Sequence, residues 1–284
     1  MTASHSASSS RISRAISSGS SEKGCGNSCK YCYLEDANEQ QTLYSYSDIE
    51  RCINEIVKNP NFVSGNKGTI ISFCPHTEPL KSVASAKLLL HVIDRFAPYG
   101  NYMQFATKEI LYDFFINEIN NVTTDGQVTA FISISSLEHQ KAIEPLASDY
   151  LKRVENVEKL RNSKMRSCIY LKPFLFQIAD FEILKQLIVH TKPDAVCIGI
   201  VYNKVNTNKY GYLMHPTEQN MVSQGINQLM IKFTEILKQS SDIPVYYTST
   251  CVIAGINRFT NTVQIPKALC VSCNEECMRE KWQK

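Results

Sequence analysis

The residues best able to do chemistry in this chain are its cysteines, 11 among 284 residues, and two groups of them are closely spaced. The first is Gly24-Cys25-Gly26-Asn27-Ser28-Cys29-Lys30-Tyr31-Cys32, three thiols at C-x3-C-x2-C spacing with glycines that let a short loop pack tightly. Such a loop can wrap its sulfurs around one metal centre. A structural zinc site needs four ligands, so three leave it incomplete. For a [4Fe–4S] cluster the missing ligand has a use: three thiolates hold three irons and the fourth iron stays open to a substrate or cofactor. A chance zinc loop, or three unrelated thiols, is the plainer reading. The second group is Cys270-Val271-Ser272-Cys273-Asn274-Glu275-Glu276-Cys277, with Cys251 upstream. Four thiols would close a second iron–sulfur cluster or a structural zinc site. Stray tail thiols are the plain alternative.

Composition narrows the setting. With 43% hydrophobic and 20% charged residues the chain can bury a large core and is too apolar to be mostly disordered. A net charge of +3 carries no global signal for nucleic acid or for an anionic membrane. No run of about 18 apolar residues exists, so no membrane-spanning helix is expected. Residues 1–21 are Ser-rich and lack the apolar middle of a signal peptide. An odd cysteine count suits disulfides poorly. A cytoplasmic protein with reduced thiols is expected, and clustered cysteines there usually bind metal. Cys52, Cys168 and Cys197 fall within expected elements and read as core. Cys74 ends an expected strand.

The elements that must position these thiols alternate. After a low-complexity Ser/Ala segment at 1–10, strands are expected at 12–17, 69–74, 102–106, 128–133, 168–175, 195–202 and 245–248. Helices are expected at 47–59, 82–97, 110–119, 148–161, 180–189 and 217–238. The first helix has a capping box of Ser47 and Glu50, an Ile49, Ile53, Ile56 stripe, and Pro60 as its stop. Strand–helix alternation with short linkers argues for an α/β fold with a parallel sheet and right-handed crossovers. The expected architecture is a partial (β/α)6 TIM-type barrel with a cysteine-rich C-terminal extension; a doubly wound sheet is the rival. The division is a disordered 1–10, a barrel over 11–240, and an extension over 241–284 bearing the second metal site.

The first cysteine motif, with Tyr31 directly before its third cysteine, resembles the signature of the radical SAM superfamily. Over about 11–203 the pattern is similar to the spore photoproduct lyase-like branch. The matching points are Thr77-Glu78-Pro79, Thr107-Lys108, Ile132-Ser133-Ile134-Ser135-Ser136, Ile143-Glu144-Pro145, Arg153 and Lys172-Pro173. The resemblance implies a [4Fe–4S] cluster on Cys25, Cys29 and Cys32 whose open iron chelates S-adenosylmethionine. It further implies Tyr31 near the adenine, Glu78 at the methionine amino group, Ser133 or Ser135 at the ribose, and Arg153 at the carboxylate. The element at Glu78 departs from the family's, since Pro75 and His76 stand where glycine is usual.

The activity so implied is oxygen-sensitive reductive cleavage of S-adenosylmethionine to a 5′-deoxyadenosyl radical, which takes hydrogen from a substrate. An external donor such as flavodoxin or ferredoxin would supply the electron. The substrate class, nucleic acid, peptide or small molecule, is open. Lys152, Arg153, Lys159, Arg161, Lys164 and Arg166 crowd one region, but Glu155 and Glu158 dilute it and a solvated helix face is the favoured reading. Cys251, Cys270, Cys273 and Cys277 would hold a second cluster or zinc, at a spacing unlike the seven-cysteine extension of peptide-maturing relatives. The contrasting reading is a non-catalytic iron–sulfur electron carrier or a zinc-stabilised binding protein.

Overall fold

The computed structural model describes residues 25–32, 44–60, 62–73, 77–199 and 219–258. The strand expected at 12–17, Cys74, and the group Cys270, Cys273 and Cys277 lie outside the described residues. After the cysteine loop the elements run α1 (Tyr46–Val57), β1 (Ile71–Phe73), α2 (Val83–Phe96), β2 (Met103–Thr107), α3 (Asp113–Val122), β3 (Val128–Ser133), α4 (Gln140–Ile143) and α5 (Tyr150–Leu160). There follow β4 (Arg166–Leu171), α6 (Phe181–Thr191), β5 (Ala195–Ile198), α7 (Gln219–Ser240), β6 (Val245–Tyr246) and α8 (Ser249–Ile256).

The strands form one six-stranded sheet in the order β1-β2-β3-β4-β5-β6, and each neighbouring pair is parallel. A doubly wound sheet must reverse its strand order at a switch point. This order never reverses, so the doubly wound alternative fails and the partial TIM-type barrel stands.

Both faces of the strands are covered, which is why they read as nearly continuous apolar runs. Phe73, Phe105, Ile132, Leu171, Val196 and Val245 alternate onto the outer face and join the core shared with the helices. The inner face is layered by register. Ala106, Phe131, Cys168 and Ala195 pair across one level. Ser133, Tyr170, Cys197 and Tyr246 pair across the next.

Helix starts follow capping chemistry. In α2, Ser82 and Ser85 make a reciprocal capping box. In α1 the cap is Ser45, which accepts from the Asp48 amide, rather than the expected Ser47. Both serines offer the same hydroxyl, and the entry angle of the chain selects between them. The strand expected to reach residue 175 ends at Leu171, before Pro173, which has no amide to donate to the ladder.

The largest departure is at the C-terminal side. The chain after Cys251 was expected to leave the alternation as a tail; instead Ser249–Ile256 is α8, capped by Thr248. This helix lies against the inner face of the sheet, where Val252 and Ile253 pack with Phe131, Cys168 and Tyr246. Gln104 of β2 donates to Ser249 at 3.2 Å. Gly255 lets the helix approach closely, since a Cβ there would fall 2.0 Å from the Tyr246 hydroxyl. The parallel sheet and the helix packed on it thus run on past residue 240, through β6 and α8.

Candidate functional site

The polar groups gather where the strands end at their C-terminal edge, the side on which barrel enzymes carry their sites. Glu78 follows β1, Thr107 ends β2 and Lys108 follows it, Ser133 and Ser135 lie at the end of β3, and Lys172 follows β4. The cysteine loop docks against this edge.

The loop is short and tightly turned. Gly26 and Ser28 both adopt positive φ, 70° and 50°. A glycine takes that conformation without strain. Cys25, Cys29 and Cys32 are half-buried and form no disulfide. Two attachments hold the loop in place. At its start Lys81, from the turn before α2, donates to Asn27 Oδ1 at 2.7 Å, and it also pairs with Glu109 at 3.0 Å and donates to the Leu146 carbonyl. At its end the Lys30 amide donates to the Ile143 carbonyl at 2.8 Å, and Tyr31 packs on Ile143 with Cys29 and Leu175 beside it.

The Tyr31 hydroxyl is buried. It donates to Glu144 Oε1 and lies 2.9 Å from Ser135 Oγ, which itself donates to Glu144 at 3.0 Å. The far oxygen of Glu144 meets the Arg153 guanidinium at 2.7 Å, with both side chains fully enclosed. Arg153 also donates to the carbonyls of Ser133 at 2.9 Å and Ser148 at 2.6 Å. Burial works against the Glu144 charge, yet Lys108, Arg153 and the Tyr31 hydrogen bond outweigh it and hold its pKa below the ordinary carboxylate value.

Glu78 is buried and accepts from Thr107 Oγ1 at 2.6 Å, the Lys108 amide at 2.7 Å and the Leu80 amide at 3.2 Å. Burial pushes its carboxyl above the usual range despite those bonds. Lys108 lies over the Tyr31 ring, its ammonium 5.8 Å from the centroid. Burial draws that ammonium down, but Glu144, Cys29, Cys25 and Glu78 together raise it above its ordinary value. The cation is thus held charged beside two of the three thiols. Cys25 is pushed up to about 12, chiefly by burial and then by Glu78. Cys29 is pushed up to about 11, again chiefly by burial.

The structure brings Tyr31, Ser135 and Arg153 of the expected site into one network through Glu144. It places Glu78 with Thr107 and Lys108. It leaves the Ser133 hydroxyl, which is buried, without a hydrogen-bond partner among the described residues. It sets Cys251 apart: its thiol sits in α8, in the same inner-face cluster as Cys168 and Cys197. The network adds Lys81 and Glu144, which are not among the site residues expected from the sequence. Lys81 has no motif around it that could have flagged it. Glu144 stands in the Ile143-Glu144-Pro145 match, and its role needed the third dimension.

The three loop thiols suit the cluster chemically. Among the described residues no three Cys, His, Asp or Glu side chains converge so as to hold a single metal ion. A cubane does not ask that of its ligands, because each thiolate binds a different iron. Beside the loop stand the Lys108 cation and, at the same strand edge, the Ser133 hydroxyl, which has no hydrogen-bond partner among the described residues.

No family model matches the sequence, and no curated relative does. Solved structures do match. SuiB of Streptococcus suis bound to S-adenosylmethionine aligns with a TM-score of 0.54 at 12% identity, over 84% of this chain and 50% of that one. SuiB in another structure aligns at 0.53 and 11% identity, over 87% and 52%. Spore photoproduct lyase with a dinucleoside spore photoproduct aligns at 0.49 and 18% identity, over 69% and 62%. The chain spans about half the length of SuiB. At such identities what the chain shares with SuiB is the fold.

Proposed function

We propose that the chain is a radical SAM enzyme whose cluster loop is Cys25, Cys29 and Cys32. The observation that carries this reading is the three-thiol loop seated at the C-terminal edge of a singly wound parallel sheet, with a charged lysine beside it. Cys25, Cys29 and Cys32 would hold a [4Fe–4S] cluster, which would supply one-electron reductive cleavage of bound S-adenosylmethionine and so hydrogen abstraction from a substrate. SuiB, which has this fold, is described bound to S-adenosylmethionine, and that supports the choice of cofactor.

The chain's own residues then divide the work of binding. Glu78, buried behind β1, is the acceptor for the methionine ammonium, and its carboxylate form suits a cation. Lys108 is the cation suited to the methionine carboxylate. Ser133 offers a hydroxyl whose hydrogen bonds are unmade, apt for a ribose. The Tyr31 ring lies beneath the Lys108 ammonium. Ser135 and Arg153, also expected to meet the cofactor, have their polar atoms engaged by protein groups. Below them α8 and the inner-face aromatics exclude water from the sheet, so that a reactive species would be shielded on that side.

An external reductant and a substrate complete this scheme. Among the described residues no helix is long and apolar enough to cross a membrane. A second metal site on Cys270, Cys273 and Cys277 is part of the proposal; for Cys251 the packing favours a core role. An electron carrier is the competing class.

Anaerobic reconstitution with iron and sulfide, followed by dithionite and S-adenosylmethionine, tests the proposal. The expected result is 5′-deoxyadenosine and methionine, lost in Cys29→Ala. Protein with a full iron complement that cleaves nothing would overturn it and favour the carrier. Iron near eight per chain, against four, decides whether the tail holds a second cluster, roughly four irons belonging to each.

A further inference from the structure

We infer that Glu144 is a positioning residue that seats the cysteine loop, with Arg153 as its counter-ion, and that the Tyr31 hydroxyl is the grip. The inference rests on the proposed function for its purpose, but its geometry stands without it. Three facts converge. Glu144 and Arg153 are both fully enclosed and meet at 2.7 Å. The other Glu144 oxygen takes hydrogen bonds from Tyr31 and Ser135, residues separated by 104 positions in sequence. The adjacent residue, Ile143, accepts the Lys30 amide and packs on Tyr31.

A buried ion pair of this kind contributes little net stability, because desolvating two charges costs about as much as their attraction returns. Its value is geometric. Arg153 is fixed by two backbone carbonyls, at the end of β3 and before α5, so Glu144 is fixed relative to the sheet. Glu144 then fixes Tyr31, which lies between Cys29 and Cys32. The thiols are thereby referenced to the strand ends, and not only to their own loop. This gives Ser135 and Arg153 a duty on the protein side. Positioning of a first layer by a second is a general requirement of metal sites.

The test uses the full chain and two readouts other than turnover. Tyr31→Phe removes the grip and leaves the Glu144–Arg153 pair whole, so it should fold. In metal-free protein, hydrogen exchange of the Lys30 amide should speed at least about tenfold in this variant, while amides in β3 and α5 are unchanged. In reconstituted protein, iron loss to a chelator should speed at least about fivefold, by loss of second-layer support. The electron paramagnetic resonance change on adding S-adenosylmethionine should be broadened or lost. Glu144→Gln should do the same or more; should it fail to fold because Arg153 is left unpaired, Tyr31→Phe decides alone. Wild-type exchange at Lys30 together with wild-type iron retention in Tyr31→Phe would overturn the inference. The exchange readout needs no cluster, so an inference that fails here is distinguishable from a chain that never cleaves S-adenosylmethionine.

Discussion

Two sets of three cysteines sit in one barrel and face opposite circumstances. Cys25, Cys29 and Cys32 stand at the strand ends, half-buried in a loop whose polar neighbours are charged. Cys168, Cys197 and Cys251 lie on the inner face, enclosed by Phe131, Tyr246 and α8. Burial lifts thiols in both sets, to about 12 at Cys25 and about 12 at Cys197. Basicity therefore does not separate the loop thiols from the core thiols. What separates them is the company: the loop has Lys108, Glu78 and Glu144 around it, while the inner-face set is packed chiefly among apolar side chains, with Lys172 and Asp194 the charges that act on Cys197 and Cys168. A metal centre can displace protons from the former and be reached by cofactor; the latter behave as small hydrophobic residues.

The contrast is sharpest under substitution. Cys29→Ala is expected to abolish both the iron content above any tail site and the formation of 5′-deoxyadenosine. Cys168→Ala is expected to leave both unchanged and to cost about 1 kcal/mol of stability, the loss of one buried heavy atom. Iron assay, product analysis and urea unfolding read the two together. Equal effects at the two positions would break the comparison.

Next in size are changes to the packing that makes the inner face inert. Phe131→Ala, fully buried against Tyr170 and α8, should cost about 3–5 kcal/mol in urea unfolding. Gly255→Val should cost about 1–3 kcal/mol or more, since its new carbon must displace the Tyr246 ring. Neither should alter the spectrum of a bound cluster if the two regions are independent, and an altered spectrum would show that they are coupled.

Alkaline pH gives a smaller but specific signature. The Cys197 thiol has an ordinary value of 9.0 and is raised to about 12 by burial, with Lys172 acting against it. Between those values the unfolded chain has lost the proton and the folded chain keeps it. The folded state then binds more protons, so stability falls as pH rises above 9, by up to about 1.4 kcal/mol per pH unit for this thiol. Unfolding curves from pH 8 to 11 should show that slope, reduced in Cys197→Ala. A slope unchanged in the variant would place the titration elsewhere.

The smallest expected effect is at Lys159, which pairs at 2.9 Å with an Asp113 carboxylate that is largely exposed. Lys159→Ala should cost at most about 1 kcal/mol and leave iron content alone. A large effect on the cluster would mean that the basic stretch has a task beyond solvation of a helix face.

The alternation of strands and helices was legible because hydrophobic period and capping residues are local properties. Ser82 at the head of α2 and the Ile49, Ile53, Ile56 stripe of α1 are examples. The C-x3-C-x2-C loop was equally legible, since its chemistry depends on neighbours a few residues apart. The helix at Ser249–Ile256 was not, although its apolar residues are plain, because an apolar run beside cysteines reads the same whether it closes a barrel or begins a tail. What the chain alone determined, then, was the three-thiol loop and the parallel α/β order. Only the tertiary structure decided that Cys251 packs with Cys168 and Cys197, that Lys81 grips Asn27, and that Arg153 serves Glu144. Each of those depends on which distant segments meet, and a charge or a thiol carries no mark in sequence of the partner it will face once water is excluded.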